Sequence, residues 1–180
     1  MKKILSLFTL VLLFSVSYAQ SKPAYVLYTA NGKKISWGKM IKQMAKQDAV
    51  FFGETHNNAI AHWLELEVTK DLQPLRQLIL GAEMFEADDQ IALNEYLAGR
   101  ISEKTLKDEV KLWNNFATDY KPLLDFAKIN KLKFIAANIP RRYANMVYSR
   151  GTACLDSIDA DAKKWIAPLP LKYDGTVKAY

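Results

Sequence analysis

The chain has 180 residues, half of them apolar and 12% aromatic, which is enough for one domain with a hydrophobic core and too little for two large ones. Its formal charge of +6 is scattered in local pairs such as Lys33-Lys34, Arg141-Arg142 and Lys163-Lys164, so there is no basic stripe to track a phosphate backbone and no nucleic-acid partner is expected. The single cysteine, Cys154, excludes an intrachain disulfide.

Taken in chain order, the first segment reads as a secretory leader. Lys2 and Lys3 precede an apolar run from Ile4 to Val16, and Ser17-Tyr18-Ala19 ends in a small residue before Gln20. This layout predicts cleavage after Ala19. The run is shorter than the ~20 residues of a spanning helix, and no later stretch is long and apolar enough to cross a bilayer. Losing Lys2 and Lys3 lowers the charge from +6 to +4. Cys154 lies far from the cleavage point and cannot be a lipidated first residue. The expectation is an exported protein of the periplasm or cell surface, with residues 20–180 forming a single domain.

Asn31-Gly32, between Val26–Tyr28 and Lys34–Ser36, predicts a small hairpin. A helix is expected over about 38–47, then a buried strand at Ala49-Val50-Phe51-Phe52. Ala59 to Leu72 reads as a helix closed before Pro74, and Gln77 to Ala82 as a second buried strand. Helices follow over Asp88–Leu97, Ser102–Trp113 with Ser102 as cap, and Tyr120–Ile129 with Pro122 in its first turn. Leu132 to Ala137 is the third expected strand, and Pro140 opens a further helix. Residues 167–175 read as a loop. Apolar strands separated by helices predict an α/β fold, with a mainly parallel sheet flanked by helices on both sides. Three strands make a narrow sheet, so the domain is expected to lack its C-terminal part.

Each predicted strand stops at polar residues. The first ends in Gly53-Glu54-Thr55-His56, the second in Glu83-Met84-Phe85-Glu86, and the third in Asn138-Ile139-Pro140-Arg141. Parallel strands bring such ends to one side of the sheet, where ligands of open α/β folds bind. Glu54, His56 and Glu83 therefore suit either a divalent metal or an acid/base pair. Local roles remain open alongside: a salt bridge for Glu83, a helix-start charge for Glu54, a turn for His56 or Asn138. His62 is six residues from His56, about 240° around a continuous helix, and is not expected to share its site. There is no His-Glu-x-x-His element, paired cysteine, Gly-x-Gly-x-x-Gly loop or Gly-x-Ser-x-Gly elbow.

The run Phe52-Gly53-Glu54-Thr55-His56-Asn57, followed by Gly81-Ala82-Glu83-Met84-Phe85, Gln90 and Tyr96-Leu97-Ala98-Gly99, resembles the ChaN-like haem-binding uptake family of the TIKI/erythromycin-esterase superfamily. The resemblance resumes at Trp113, Tyr120-Lys121-Pro122-Leu123-Leu124, Phe126-Ala127 and Ala137-Asn138-Ile139-Pro140-Arg141, and covers roughly 49–151. It implies an α/β fold and a role in haem or iron acquisition at a bacterial envelope, with outer-membrane uptake proteins as partners. The alternative it implies is a metal-dependent hydrolase, in which Glu54 and Glu83 activate water and His56 is ligand or acid/base. In related haem binders a tyrosine holds the iron, which makes Tyr143 and Tyr148 the candidates here, with Asn138 and Arg141 beside them. A homodimer sharing two haems across open faces is a further expectation. The chain departs from the family in lacking a lipid-accepting cysteine, and a further histidine and a Gln/Trp/Asp-bearing helix towards the C-terminus.

Overall fold

The computed structural model describes residues 22–172 with Asp174, Thr176 and Val177. The predicted leader lies outside the described residues. The chain divides into two units, one up to Met40 and one from Ile41 onward. In the first, the expected hairpin is reduced to a bridge between Tyr28 and Lys34. Its turn closes with the Gly32 N–H donating to the Thr29 carbonyl at 2.9 Å. Gly32 has φ +72°, a left-handed conformation that favours glycine. Helix α1, Trp37–Met44, carries the chain into the second unit.

The second unit is built on two parallel strands, β1 (Ile79–Glu86) and β2 (Lys133–Asn138). Ile79 pairs with Lys133, Ala82 with Ala136 and, after an irregularity, Glu86 with Asn138. Helix α2 (Ala59–Leu72) starts where expected. Asn58 caps it, its side-chain oxygen accepting from the N–H groups of Ile60 and Ala61, two donors a helix start leaves without internal partners. Gln90–Leu97 forms α3 after a 3-10 turn at Ala87–Asp89. Glu103–Glu109 forms α4, with Ser102 capping the Thr105 N–H. A π-helical turn at Phe116–Tyr120 runs into α5 (Lys121–Ile129), with Pro122 in the tolerated first turn. Pro140 stands just before α6 (Arg141–Arg150), and residues 167–172 carry no helix or strand.

α3 and α5 pack against β2, and α2 packs against α5 and the π-helical turn. The core formed there holds Phe85, Leu93, Leu106, Leu124 and Phe134, with Phe85 edge-on to Phe116 and Phe134. A smaller cluster joins Tyr143 on α6 to Leu155 and Ala162.

The structure corrects three expectations. Residues 49–53 form no strand, and Phe51 is 96% exposed. An apolar run of four does not by itself specify a ladder, and this one is anchored instead by the polar contacts of Glu54 beyond it. Among the described residues the sheet is covered on one face and not on both: Ile79, Gly81 and Glu83 of β1, with Lys133 and Ala137 of β2, are exposed, while Ala82, Met84, Phe134 and Ala136 are buried. Only the face against the helices supplies core. Finally, β1 runs on through Met84 and Phe85, both buried, so Glu83 lies within the strand on its exposed face and not at its end.

Candidate functional site

Glu54 is the centre of the best-developed polar cluster. Its Oε1 accepts from the Tyr120 hydroxyl at 3.0 Å and lies 3.3 Å from His56 Nδ1. Its Oε2 lies 2.8 Å from Nδ1 of His62. That separation is within ion-pair range, yet the alignment is not that of a hydrogen bond. Both atoms are buried without a hydrogen-bond partner among the described residues. The His62 side chain is only 3% exposed. Its Nε2 faces the His56 carbonyl at 3.1 Å and Asp119 Oδ2 at 3.8 Å. A carbonyl only accepts, so Nε2 carries the hydrogen and Nδ1 is the atom turned towards Glu54.

Glu65 completes the group. It stands one turn after His62 on α2, and residues three apart share a helix face. Glu54, His62 and Glu65 each offer one ligand atom, and these atoms all lie within 4.8 Å of one another. Burial pushes the Glu65 carboxyl up to about 7; the negative charge of Glu54 adds to the rise and His62 opposes it. Burial and the hydrogen bond to Glu54 likewise push the Tyr120 phenol far above its usual value. Tyr120 therefore keeps its proton and donates it to Glu54.

Aromatic rings wall this cluster. His62 is edge-on to Tyr120 at 4.7 Å, Tyr120 to Trp113 at 5.5 Å, and Trp113 to His56 at 4.8 Å. The Asn115 amide donates to the His56 carbonyl at 2.6 Å and to Asp119. An open cleft of about 350 Å³ adjoins them, lined by Trp113, Asn115, Glu86 and Arg141 among others.

Of the residues singled out in the sequence, Glu54 and His56 are brought together, with the His56 side chain 58% exposed. The strand-end pair also meets: the Arg141 N–H donates to Glu86 at 2.8 Å, and its guanidinium lies 3.9 Å from the same carboxylate. Asn138 accepts from the N–H of Ile139, a local turn contact. Tyr143 is buried with the Arg142 guanidinium over its ring, whereas Tyr148 is 93% exposed.

His62, Glu65, Trp113, Asn115 and Tyr120 enter the cluster without having been assigned a role from the sequence. The 240° separation of His56 and His62 holds only where one helix runs through both. The helix begins only at Ala59, so His56 lies before it and folds back over His62. The signal that was available is the three-residue spacing of His62 and Glu65 on one helix face, in the first helix after the Gly-Glu-x-His turn.

All of these residues fall within the match to the family described as "Haem-binding uptake, Tiki superfamily, ChaN", which spans residues 40–179. The chain belongs to this family. A solved structure described as "Cofacial heme binding to ChaN of Campylobacter jejuni" superposes with a TM-score of 0.55 at 21% identity, covering 70% of this chain and 52% of that one. At that identity the likeness speaks for the ChaN-like α/β fold. The chain thus spans about half the length of that ChaN. The protein RETICULATA-RELATED 5, chloroplastic, of Arabidopsis thaliana is 31% identical over 130 residues, an alignment covering 66% of this chain and 17% of the plant protein.

Proposed function

We propose that this ChaN-family chain binds ferric haem on the exposed face of α6, with the Tyr148 phenolate as the iron ligand. The observation that carries the reading is the 93% exposure of Tyr148. Tyrosine oxygen is an established ligand for haem iron, and this ring is open to an incoming planar group. Tyr143 and Tyr120 are both buried. Arg141 is exposed on the same helix, seven residues earlier. Two helical turns place it about 10 Å along the axis on the same face, where its guanidinium suits a haem propionate. Asn138 lies just before that helix start.

Haem seated on an exposed face leaves its outer surface uncovered. A second copy, with the two haems stacked face to face, would cover it, in line with the cofacial binding described for the Campylobacter protein. The role this supports is haem or iron uptake at the envelope of an exported protein. Mature protein beginning at Gln20 or Ser21 is the expected mass-spectrometric finding, and an intact Met1 in the exported pool would contradict the export reading.

Haemin titration tests the ligand. A Soret shift with tyrosinate charge-transfer bands is expected, and Tyr148→Phe removes those bands while the fold is kept, because phenyl fills the same space. Bands lost in Tyr143→Phe but not in Tyr148→Phe would move the ligand to the buried ring. Bands lost only in His56→Ala would replace tyrosine by imidazole.

A further inference from the structure

We propose that the bare face of the β1–β2 sheet is the docking surface for a second copy of this chain. The copy lies face to face with its strands reversed, so that Lys133 of each copy stands opposite Glu83 of the other. Register partners share a side of a sheet, and side chains alternate between sides along each strand. Ile79 pairs with Lys133 and Gly81 with Ile135. A Cβ placed on Gly81 would lie 3.9 Å from the Ile135 Cβ and 4.0 Å from that of Ala137, so these three positions share the bare face. Glu83, two residues beyond Gly81, is the next on it. All are exposed except the half-buried Ile135.

The face is patterned along its strands. It starts with the Lys133 cation beside Ile79, carries no charge at Gly81 and Ile135, and ends with the Glu83 carboxylate near Ala137. The two charges stand four residues apart in register, about 13 Å along the strands. Among the described residues neither takes part in an ion pair. One charge of each sign suits neither an anionic membrane nor a phosphate backbone. It does suit the same face turned round. A twofold axis running between the faces and across the strands makes every contact twice: each Lys133 meets a Glu83, and Ile135 meets its own counterpart. Packed sheets lie about 10 Å apart with strand directions within about 30°, a gap that a lysine and a glutamate reaching from opposite sides span. With strands running the same way, lysine would face lysine and glutamate would face glutamate, which is unfavourable. Two short strands offer less than the roughly 800 Å² per partner of a standard interface, so the dimer is weak and sensitive to salt. It uses no part of α6 and needs no haem.

Sedimentation equilibrium of the exported chain, free of haem, tests this from micromolar to millimolar concentration at low salt. A monomer–dimer equilibrium is expected, shifting towards monomer as salt screens the paired charges. Lys133→Glu and Glu83→Lys each set like charges opposite one another twice, and each alone should weaken the dimer by roughly tenfold or more. Mixed in equal amounts, the two variants regain complementary ends and should form a heterodimer. The double variant Lys133→Glu/Glu83→Lys should dimerise by itself. A variant that had merely misfolded would not recover on mixing, so the recovery separates lost complementarity from lost fold. A chain that stays monomeric throughout overturns the proposal and leaves the face to another part of the chain or to a different protein. Dimerisation unchanged in either single variant, or not recovered in the mixture, overturns it as well. Tyr148→Phe should leave the haem-free dimer intact; a dimer lost in that variant would place the contact on α6 instead.

Discussion

Asp89 carries a charge cost unconnected with the Glu54 cluster. Partial burial and its neighbours Asp88 and Glu86 push its carboxyl from 3.8 up to about 6, against smaller opposing effects from a backbone hydrogen bond and Arg142. The folded chain therefore holds this proton more tightly than the unfolded chain. Below about pH 4 the group is protonated in both states and costs nothing; between about 4 and 6 stability falls as pH rises, and above that the full cost is present. Asp89→Asn should stabilise the protein at pH 7 and have little effect near pH 3.5. The shift alone corresponds to about 3 kcal/mol, but the side chain is partly in water, so about 1 kcal/mol is expected. Denaturant melts at the two pH values measure it, and an equal gain at both would assign the effect to something other than charge. At this scale the sequence was legible where chemistry is written into adjacent residues. The Gly53-Glu54-Thr55-His56 turn announces itself, and Glu54 and His56 do meet. Tyr120, 66 positions after Glu54, reaches it only through the packing of α2, the π-helical turn and α5, which no local pattern encodes.

Gln90 shows what an element can owe to one side chain. From the first position of α3 its amide nitrogen donates to the Phe134 carbonyl at 2.9 Å, and its amide oxygen accepts from the Ala136 N–H at 2.8 Å. Residues 134 and 136 point their backbone groups to the same side of β2, away from β1. The amide thus reproduces the donor and acceptor of one residue of a neighbouring strand. Gln90→Ala leaves both groups without that partner and should cost about 1–3 kcal/mol. Gln90→Glu keeps the acceptor but sets a carboxylate oxygen against the Phe134 carbonyl, and should cost at least as much at neutral pH. Urea denaturation orders the three proteins, and equal stability of Gln90→Ala and wild type would show that water replaces the amide at no cost. Helices were the more legible elements. Ser102, Pro122 and Pro140 mark starts through capping chemistry and fixed φ, which are local. Residues 49–52 are apolar yet form no strand, because a strand exists only through its partner, and four apolar residues do not name one.

At the level of the molecule, stability rests on the helix-facing side of the sheet. Phe85 is fully buried between Phe116 and Phe134, with ring centroids at 6.3 and 5.7 Å. Phe85→Ala should cost about 3–5 kcal/mol by lost transfer energy and the cavity left behind. Thermal melting reads that loss, and a shift of only a degree or two would mean that the rings close over the gap. The α/β class and the parallel pairing were visible in the alternation of apolar runs and helices, whereas the openness of the other sheet face was not, since Ile79 and Ala137 look like core residues in sequence. The Gln90 amide has one more consequence. A parallel pair of strands with a bare outer rim is a template for strands of other copies, and proteins guard such rims with bulges, charges or covering elements. Here the Gln90 amide occupies two backbone groups of that rim, so removing it does more than weaken a fold: it frees part of a docking line for aggregation, readable as increased light scattering when Gln90→Ala is refolded at high concentration.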